Sequence, residues 1–174
     1  MRLSPRWLQV AGWSGVGKTT ILGELLERAK SRGERVFVVK FSDHSAIASR
    51  GDSGRLHQHG AEVSAMIGPD GVSWMGSLPL FAELLMTWEG DWVFVEGGRL
   101  LSTPKILLAQ DQWPPYRPPV LARLSRHPDP LSPTPAFALP EESQRAAHWL
   151  DIHRLACSAP AEQWIPRFKG ALNL

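Results

Sequence analysis

The residues from Gly12 to Thr20 combine glycine, lysine and hydroxyl side chains in a spacing that suits phosphate binding. They fit the pattern G-x-x-x-x-G-K-[ST], and a second threonine follows it. Glycines let the backbone curl so that successive N–H groups face one point, where the following helix adds its positive end. The predicted phosphate-binding residues are Gly12, Ser14, Gly15, Val16, Gly17, Lys18, Thr19 and Thr20. Such a loop favours a di- or triphosphate as the ligand.

Side chains inside and outside this loop predict a site that depends on Mg²⁺. Lys18 is expected to reach the outer phosphates, and the Thr19 hydroxyl is expected to bind the metal. Phosphate chemistry needs a further acid at the end of a neighbouring strand, and Glu96 lies between an apolar run and two glycines. Asp43 follows another predicted strand and is a candidate for activating water or binding metal. We therefore predict Lys18, Glu96 and Asp43 as catalytic residues, with Thr19 and Glu96 as metal ligands.

Strands and a helix flank the loop in the sequence as the motif requires. Apolar residues predict a strand over Trp7–Ala11, a helix over Lys18–Arg32 closed by Gly33, and a strand over Arg35–Phe41. The second strand is apolar without alternation, which predicts burial on both faces and a carboxylate or phosphate partner for its Lys40. This order predicts an α/β fold of the P-loop NTPase-like type, with a mainly parallel sheet flanked by helices.

The remaining chain is predicted to complete a single nucleotide-binding domain over residues 1–174. Between the second strand and Gly71 the sequence is polar, and its part from Gly60 to Ile67 suggests a short helix or strand. Later elements are predicted as a helix over 78–88, strands over 91–98, 105–109 and 118–124, a proline-rich loop over 113–135, and a closing helix over 141–155.

Composition restricts the class of protein. A single cysteine, Cys157, excludes an intrachain disulfide and agrees with a reducing cytoplasm. The formal charge of +2 gives no basis for nucleic-acid binding, and no apolar run is long enough to span a membrane. His57 and His59 are spaced two apart without further clear ligands, so we interpret them as solvated loop residues rather than a zinc site.

Several segments together resemble the MobB family, the adaptor proteins of molybdopterin-guanine dinucleotide biosynthesis. The resemblance covers roughly residues 6 to 110 and differs from the family pattern at Phe41, Gly98 and Arg99. The matching segments are the loop from Gly12 to Thr20, Val38-Val39-Lys40, Asp52-Ser53-Gly54-Arg55, Gly60-Ala61, Val93-Phe94-Val95-Glu96-Gly97 and Pro104-Lys105-Ile106.

The resemblance implies a weakly hydrolytic GTP-binding protein that assists a MobA-type guanylyltransferase in attaching GMP to molybdopterin. It also implies a homodimer and molybdopterin as a possible ligand, while the composition predicts no membrane or nucleic-acid partner. Carried over by position, Gly15 to Thr20 hold the phosphates, Thr19 and Glu96 hold Mg²⁺, and Asp43 or Asp52 lies near the ligand.

Other functions remain open at the level of the residues. A small-molecule kinase or ATP-dependent ligase of the dethiobiotin synthetase type shares the loop, but the short chain offers no lid-like insertion with clustered arginines. A metallochaperone GTPase is a weaker alternative, because such proteins tend to need cysteine and histidine ligands. The guanine-reading pattern [NT]-K-x-D is absent from the sequence, so the residues do not choose between ATP and GTP.

Overall fold

The computed structural model describes residues 5–41, 59, 63–110, 112–116, 119–138 and 142–152. The predictions made for Asp43, Asp52, His57 and the segment after Ile152 therefore lie outside the described residues. The strands are β1 (Arg6–Gly12), β2 (Val36–Lys40), β3 (Val63–Gly68), β4 (Gly71–Gly76), β5 (Trp92–Glu96), β6 (Lys105–Leu108), β7 (Val120–Ser125) and β8 (Ala136–Ala138). The helices are α1 (Lys18–Ser31), α2 (Leu78–Met86) and α3 (Ser143–Ile152).

Six of these strands form one parallel sheet in the order β2-β5-β1-β6-β7-β8. The strand that precedes the glycine loop, β1, lies between β5 and β6, so its carboxyl end opens at the middle of the sheet. Because parallel strands end at one edge, the residues after β1, β2, β5 and β6 are brought to the same edge. The predicted α/β fold is confirmed.

Helices cover both faces of the sheet. On one face Leu8 and Val10 pack with α1 and with Ala146 of α3. On the other face Trp7 and Val93 pack with α2. Consecutive residues of β1 therefore enter opposite hydrophobic clusters, as expected for a central strand covered on both sides. None of the helices within the described residues is long and apolar enough to cross a bilayer.

The prediction that β2 is buried on both faces is wrong. This strand begins the sheet order and pairs with β5 alone among the described strands, and Val38 is 41% exposed. Lys40 points toward solvent, with 61% of its side chain exposed, yet it has the predicted carboxylate partner. The apolar run could not predict the position of β2 in the sheet, because strand order depends on pairing between distant segments.

Other element boundaries agree with the sequence to within a few residues. Gly33 follows α1 with a φ of 68°, as predicted for a left-handed helix end. The ambiguous piece before Gly68 forms the strand β3, which pairs antiparallel with β4 in a separate hairpin. The pattern predicted neither β4, which is mixed in polarity, nor β8, which has only three residues.

Candidate functional site

The glycine loop connects the end of β1 directly to the start of α1. Gly15 and Gly17 have φ values of 75° and 91°, a left-handed region that other residues enter at a cost. At Gly12 the reason for glycine is space, since a Cβ there would lie 2.4 Å from the Leu108 carbonyl oxygen of β6. Val16 is buried beneath the loop. The curled backbone expected from the motif is therefore formed, which is the conformation that presents N–H groups to an anion.

Lys18 lies at the first position of α1 and extends back along the loop. Its Nζ donates a hydrogen bond to the carbonyl oxygen of Trp13 at 2.6 Å. This exposed contact holds the ammonium group at the loop. A phosphate within reach of Lys18 would gain a charge-assisted hydrogen bond there.

Thr19 and Glu96, which lie 77 positions apart in the sequence, meet at the edge of the sheet. The Thr19 hydroxyl oxygen lies 3.2 Å from both carboxylate oxygens of Glu96. Glu96 is the last residue of β5 and pairs in register with Val10 of β1, which places it next to the loop. Glu96 is only 5% exposed. The structure thus brings together the two residues predicted as metal ligands.

Lys40 balances the charge of this buried carboxylate. Its Nζ lies 3.1 Å from Oε1 of Glu96, and the two residues are in register across β2 and β5. Because Lys40 is largely exposed, solvent weakens this ion pair. The other carboxylate oxygen of Glu96, Oε2, contacts the Thr19 hydroxyl. A carboxylate is costly to bury alone, so this partner explains how Glu96 stays inside the edge of the sheet.

Hydroxyl and carboxylate oxygens are the hard ligands that Mg²⁺ prefers. Thr19 and Glu96 supply one of each on a single side of the loop, which fits a metal that takes its other ligands from phosphate and water. In the described part of the chain no group of three histidine, cysteine, aspartate or glutamate residues could hold a metal by itself. His59 is exposed, in agreement with its interpretation as a solvated residue.

The turn after β5 is fixed by buried polar groups that sequence reasoning did not identify. The side-chain amide of Gln9 donates to the carbonyl oxygens of Gly97 and Gly98 at 2.5 and 2.6 Å. The Thr103 hydroxyl donates to Oε1 of the Gln9 side chain at 2.5 Å. Because Gln9 is fully buried in β1, the strand that leads into the loop also anchors the segment that follows Glu96.

Lys105 anchors the other end of this turn. Its Nζ is buried and donates to the carbonyl oxygens of Leu101 and Thr103 at 2.8 and 2.9 Å. Burial lowers the pKa of Lys105 to about 8. The available signal was a lysine beginning the apolar segment Lys-Ile-Leu-Leu, the same argument that was applied to Lys40. Only the central position of β6 shows that Lys105 is the buried lysine.

Stability is expected to rise with pH because of Lys105. Its folded pKa is about 8 against 10.5 for an ordinary lysine, so the unfolded chain binds more protons between these values. The free energy of unfolding should therefore increase across that window, by at most about 3 kcal/mol, and fall as the pH drops through 8. Urea denaturation at several pH values should show this rise in the wild type and a smaller one in Lys105→Gln. Lys30→Gln, which changes an exposed lysine, is the control. Equal pH profiles for all three proteins would contradict the assignment.

Arg99 and Trp13 meet at the rim of the loop. The guanidinium carbon of Arg99 lies 5.0 Å from the centre of the Trp13 ring. The indole N–H of Trp13 donates to the Gln112 carbonyl oxygen, beyond the end of β6, at 3.1 Å. Trp13 is 41% exposed, which is high for a large aromatic side chain. These contacts connect the phosphate-binding loop with the segments after β5 and β6.

The parallel sheet, the glycine loop and the Thr19–Glu96 contact define a protein of the P-loop NTPase-like class. A family model described as Molybdopterin guanine dinucleotide synthesis protein B, MobB, matches residues 7–121. The chain is 30% identical over 173 residues to the molybdopterin-guanine dinucleotide biosynthesis adapter protein of Haemophilus influenzae, with 94% of this chain and 92% of the relative covered. The chain therefore belongs to the MobB family.

Solved structures agree with this fold. The crystal structure of Bacillus subtilis MobB superposes with a TM-score of 0.66 at 22% identity, over 84% of this chain and 96% of that one. The MobB protein homolog from Bacillus stearothermophilus gives a TM-score of 0.60 at 22% identity, over the same shares of the two chains. The identification of the family from the sequence is confirmed.

Proposed function

We propose that this chain is a GTP-binding adaptor that assists the guanylylation of molybdopterin, with weak Mg²⁺-dependent GTPase activity of its own. The observation that carries the proposal is the contact of Thr19 with the buried carboxylate of Glu96 beside a fully formed phosphate-binding loop. Family membership directs this chemistry to molybdopterin-guanine dinucleotide synthesis. The choice of GTP over ATP rests on the family resemblance.

Each residue of the site has a proposed role in holding the nucleotide. The backbone from Gly12 to Thr20 holds the phosphates, and Lys18 binds the outer ones. Thr19 and Glu96 hold Mg²⁺, which neutralises charge on the phosphates when it is bound. Lys40 pairs with Glu96 across the two strands and offsets its negative charge. Asp43 is proposed to activate water or to bind metal, from its position after β2 in the sequence.

The adaptor role requires a partner. We propose a molybdenum cofactor guanylyltransferase of the MobA type, with molybdopterin as a possible shared ligand and a homodimer as the working form in the cytoplasm. The name of the Haemophilus influenzae relative, an adapter protein, supports this role. The relative is covered over 92% of its length, so the likeness is not confined to the loop.

Calorimetric titration with GTP and with ATP, each with and without Mg²⁺, tests nucleotide binding. We expect GTP to bind more tightly than ATP and Mg²⁺ to increase the affinity. Mixing with the cognate guanylyltransferase should give a complex on gel filtration or raise the yield of molybdopterin-guanine dinucleotide. A preference for ATP, with neither a complex nor a change in yield, would contradict the adaptor and favour the kinase or ligase alternative.

A further inference from the structure

Among the residues that the structure describes, positive side chains exceed negative ones around the mouth of the loop. Lys18, Lys40 and Arg99 reach this edge of the sheet, and Glu96 is the carboxylate that lies among them. Glu96 is paired with Lys40, and Lys18 donates to a backbone carbonyl. Within the described residues Arg99 forms no hydrogen bond or ion pair, and its Nε is buried without a partner. A guanidinium in such a position suits an anion that the described residues do not supply.

Trp13 connects Arg99 with Lys18. The ring of Trp13 lies under the guanidinium of Arg99, while its carbonyl oxygen accepts the hydrogen bond of Lys18 at 2.6 Å. The indole N–H bonded to Gln112 limits rotation of this ring. One residue of the phosphate-binding loop therefore contacts two cations, and both lie at the same rim as a result.

The turn that carries Arg99 is rigid. Gly97 and Gly98 have φ values of 84° and 58°, and the N–H of Leu101 donates to the Gly98 carbonyl oxygen at 2.8 Å. The positive φ of Gly98 favours glycine there, and a Cβ would also approach a methyl carbon of Leu101 at 2.8 Å. The side-chain amide of Gln9 donates hydrogen bonds to the carbonyl oxygens of both glycines. Arg99 is thus presented from a fixed backbone three residues after the proposed metal ligand Glu96.

We propose that Arg99 binds the terminal phosphate of the nucleotide together with Lys18, with the Trp13 ring as its support. The inference rests on the proposed binding of GTP and extends it to the group that separates a triphosphate from a diphosphate. Arg99 follows the end of β5, and its side chain contacts Trp13 of the phosphate-binding loop. A guanidinium offers several N–H donors in one plane, which suits the oxygens of a terminal phosphate.

The test compares GTP with GDP, because only GTP carries the third phosphate. In Arg99→Gln, calorimetry with Mg²⁺ should show GTP binding about 10- to 100-fold weaker, while GDP binding stays within about twofold. Arg99→Lys should recover part of the lost GTP affinity, since it restores the charge without the planar group. Circular dichroism and thermal unfolding of each variant exclude a loss of folding as the cause.

Arg35→Gln is the matched control, because Arg35 also lies over a tryptophan ring, that of Trp88 at 5.7 Å, but just before β2 at the other edge of the sheet. It should leave both affinities unchanged. Equal weakening of GTP and GDP in Arg99→Gln, or no weakening of either, would overturn the role of Arg99. If the wild type binds neither GTP nor GDP, the proposed GTP-binding function is itself wrong. That result differs from a failure of the Arg99 proposal, in which the wild type binds GTP and Arg99→Gln does not weaken it selectively.

Discussion

Glu96→Gln is expected to leave GTP binding without metal within about threefold of the wild type and to lower Mg²⁺-dependent hydrolysis by about 10²–10³. The substitution keeps the shape of the side chain but removes the charge that Mg²⁺ would contact. Loop amides and Lys18 do not depend on this carboxylate, so the phosphates retain those contacts. The gain in GTP affinity on adding Mg²⁺ should largely disappear in the variant.

Calorimetry with and without Mg²⁺ measures the first effect, and phosphate release measures the second. Glu27→Gln changes an exposed carboxylate of α1 and serves as the control for loss of one negative charge. Lys40→Gln separates the metal from the ion pair, because it removes the partner of Glu96 and keeps the carboxylate. If Glu96→Gln retains both metal dependence and hydrolysis, Glu96 is a strand-end carboxylate paired with Lys40, and the metal role passes to Asp43.

Lys18→Ala is expected to weaken triphosphate binding by about 1.5–3 kcal/mol, the range of charge-assisted hydrogen bonds, which is about 10- to 150-fold in Kd. The folded state should be affected little, because Lys18 begins α1 and its ammonium contacts a backbone carbonyl at the rim rather than the core. A calorimetric titration with GTP measures the loss, and thermal unfolding checks the fold.

Lys30→Ala is the matched control for this change. It removes an exposed lysine from the last turn of the same helix, away from the loop. Its GTP affinity should equal that of the wild type. An unchanged affinity in Lys18→Ala, or an equal loss in both variants, would contradict the assignment of Lys18 to the phosphates.

The part of the site that could be predicted is local in sequence. The loop from Gly12 to Thr19 and the start of α1 follow from glycine spacing and helical periodicity, and both appear where they were predicted. Glu96 is predicted as a site residue because an apolar run ends in an acid and two glycines, a signal contained in seven consecutive residues. The contact between Thr19 and Glu96 is expected because the loop after β1 and the end of β5 lie at the same edge of the sheet.

The parts that could not be predicted depend on which strands are neighbours. Lys40 and Lys105 both belong to apolar strands, yet β2 begins the sheet order and β6 lies inside it, so only Lys105 is fully buried. Gln9 reads as an ordinary polar residue of β1, and its role appears only when Gly97 and Gly98 lie beside it. Side chains far apart in sequence gain these partners only through folding.

The sequence by itself determined the phosphate-binding loop, the α/β class and the family, because backbone conformation and helical or strand periodicity are set by residues close along the chain. Tertiary structure alone decided the strand order, the buried supports at Gln9 and Lys105, and the meeting of Arg99 with Trp13. These features depend on which segments the sheet packs side by side, as when Gln9 meets Gly97 at a separation of 88 positions, where chain spacing fixes no geometry.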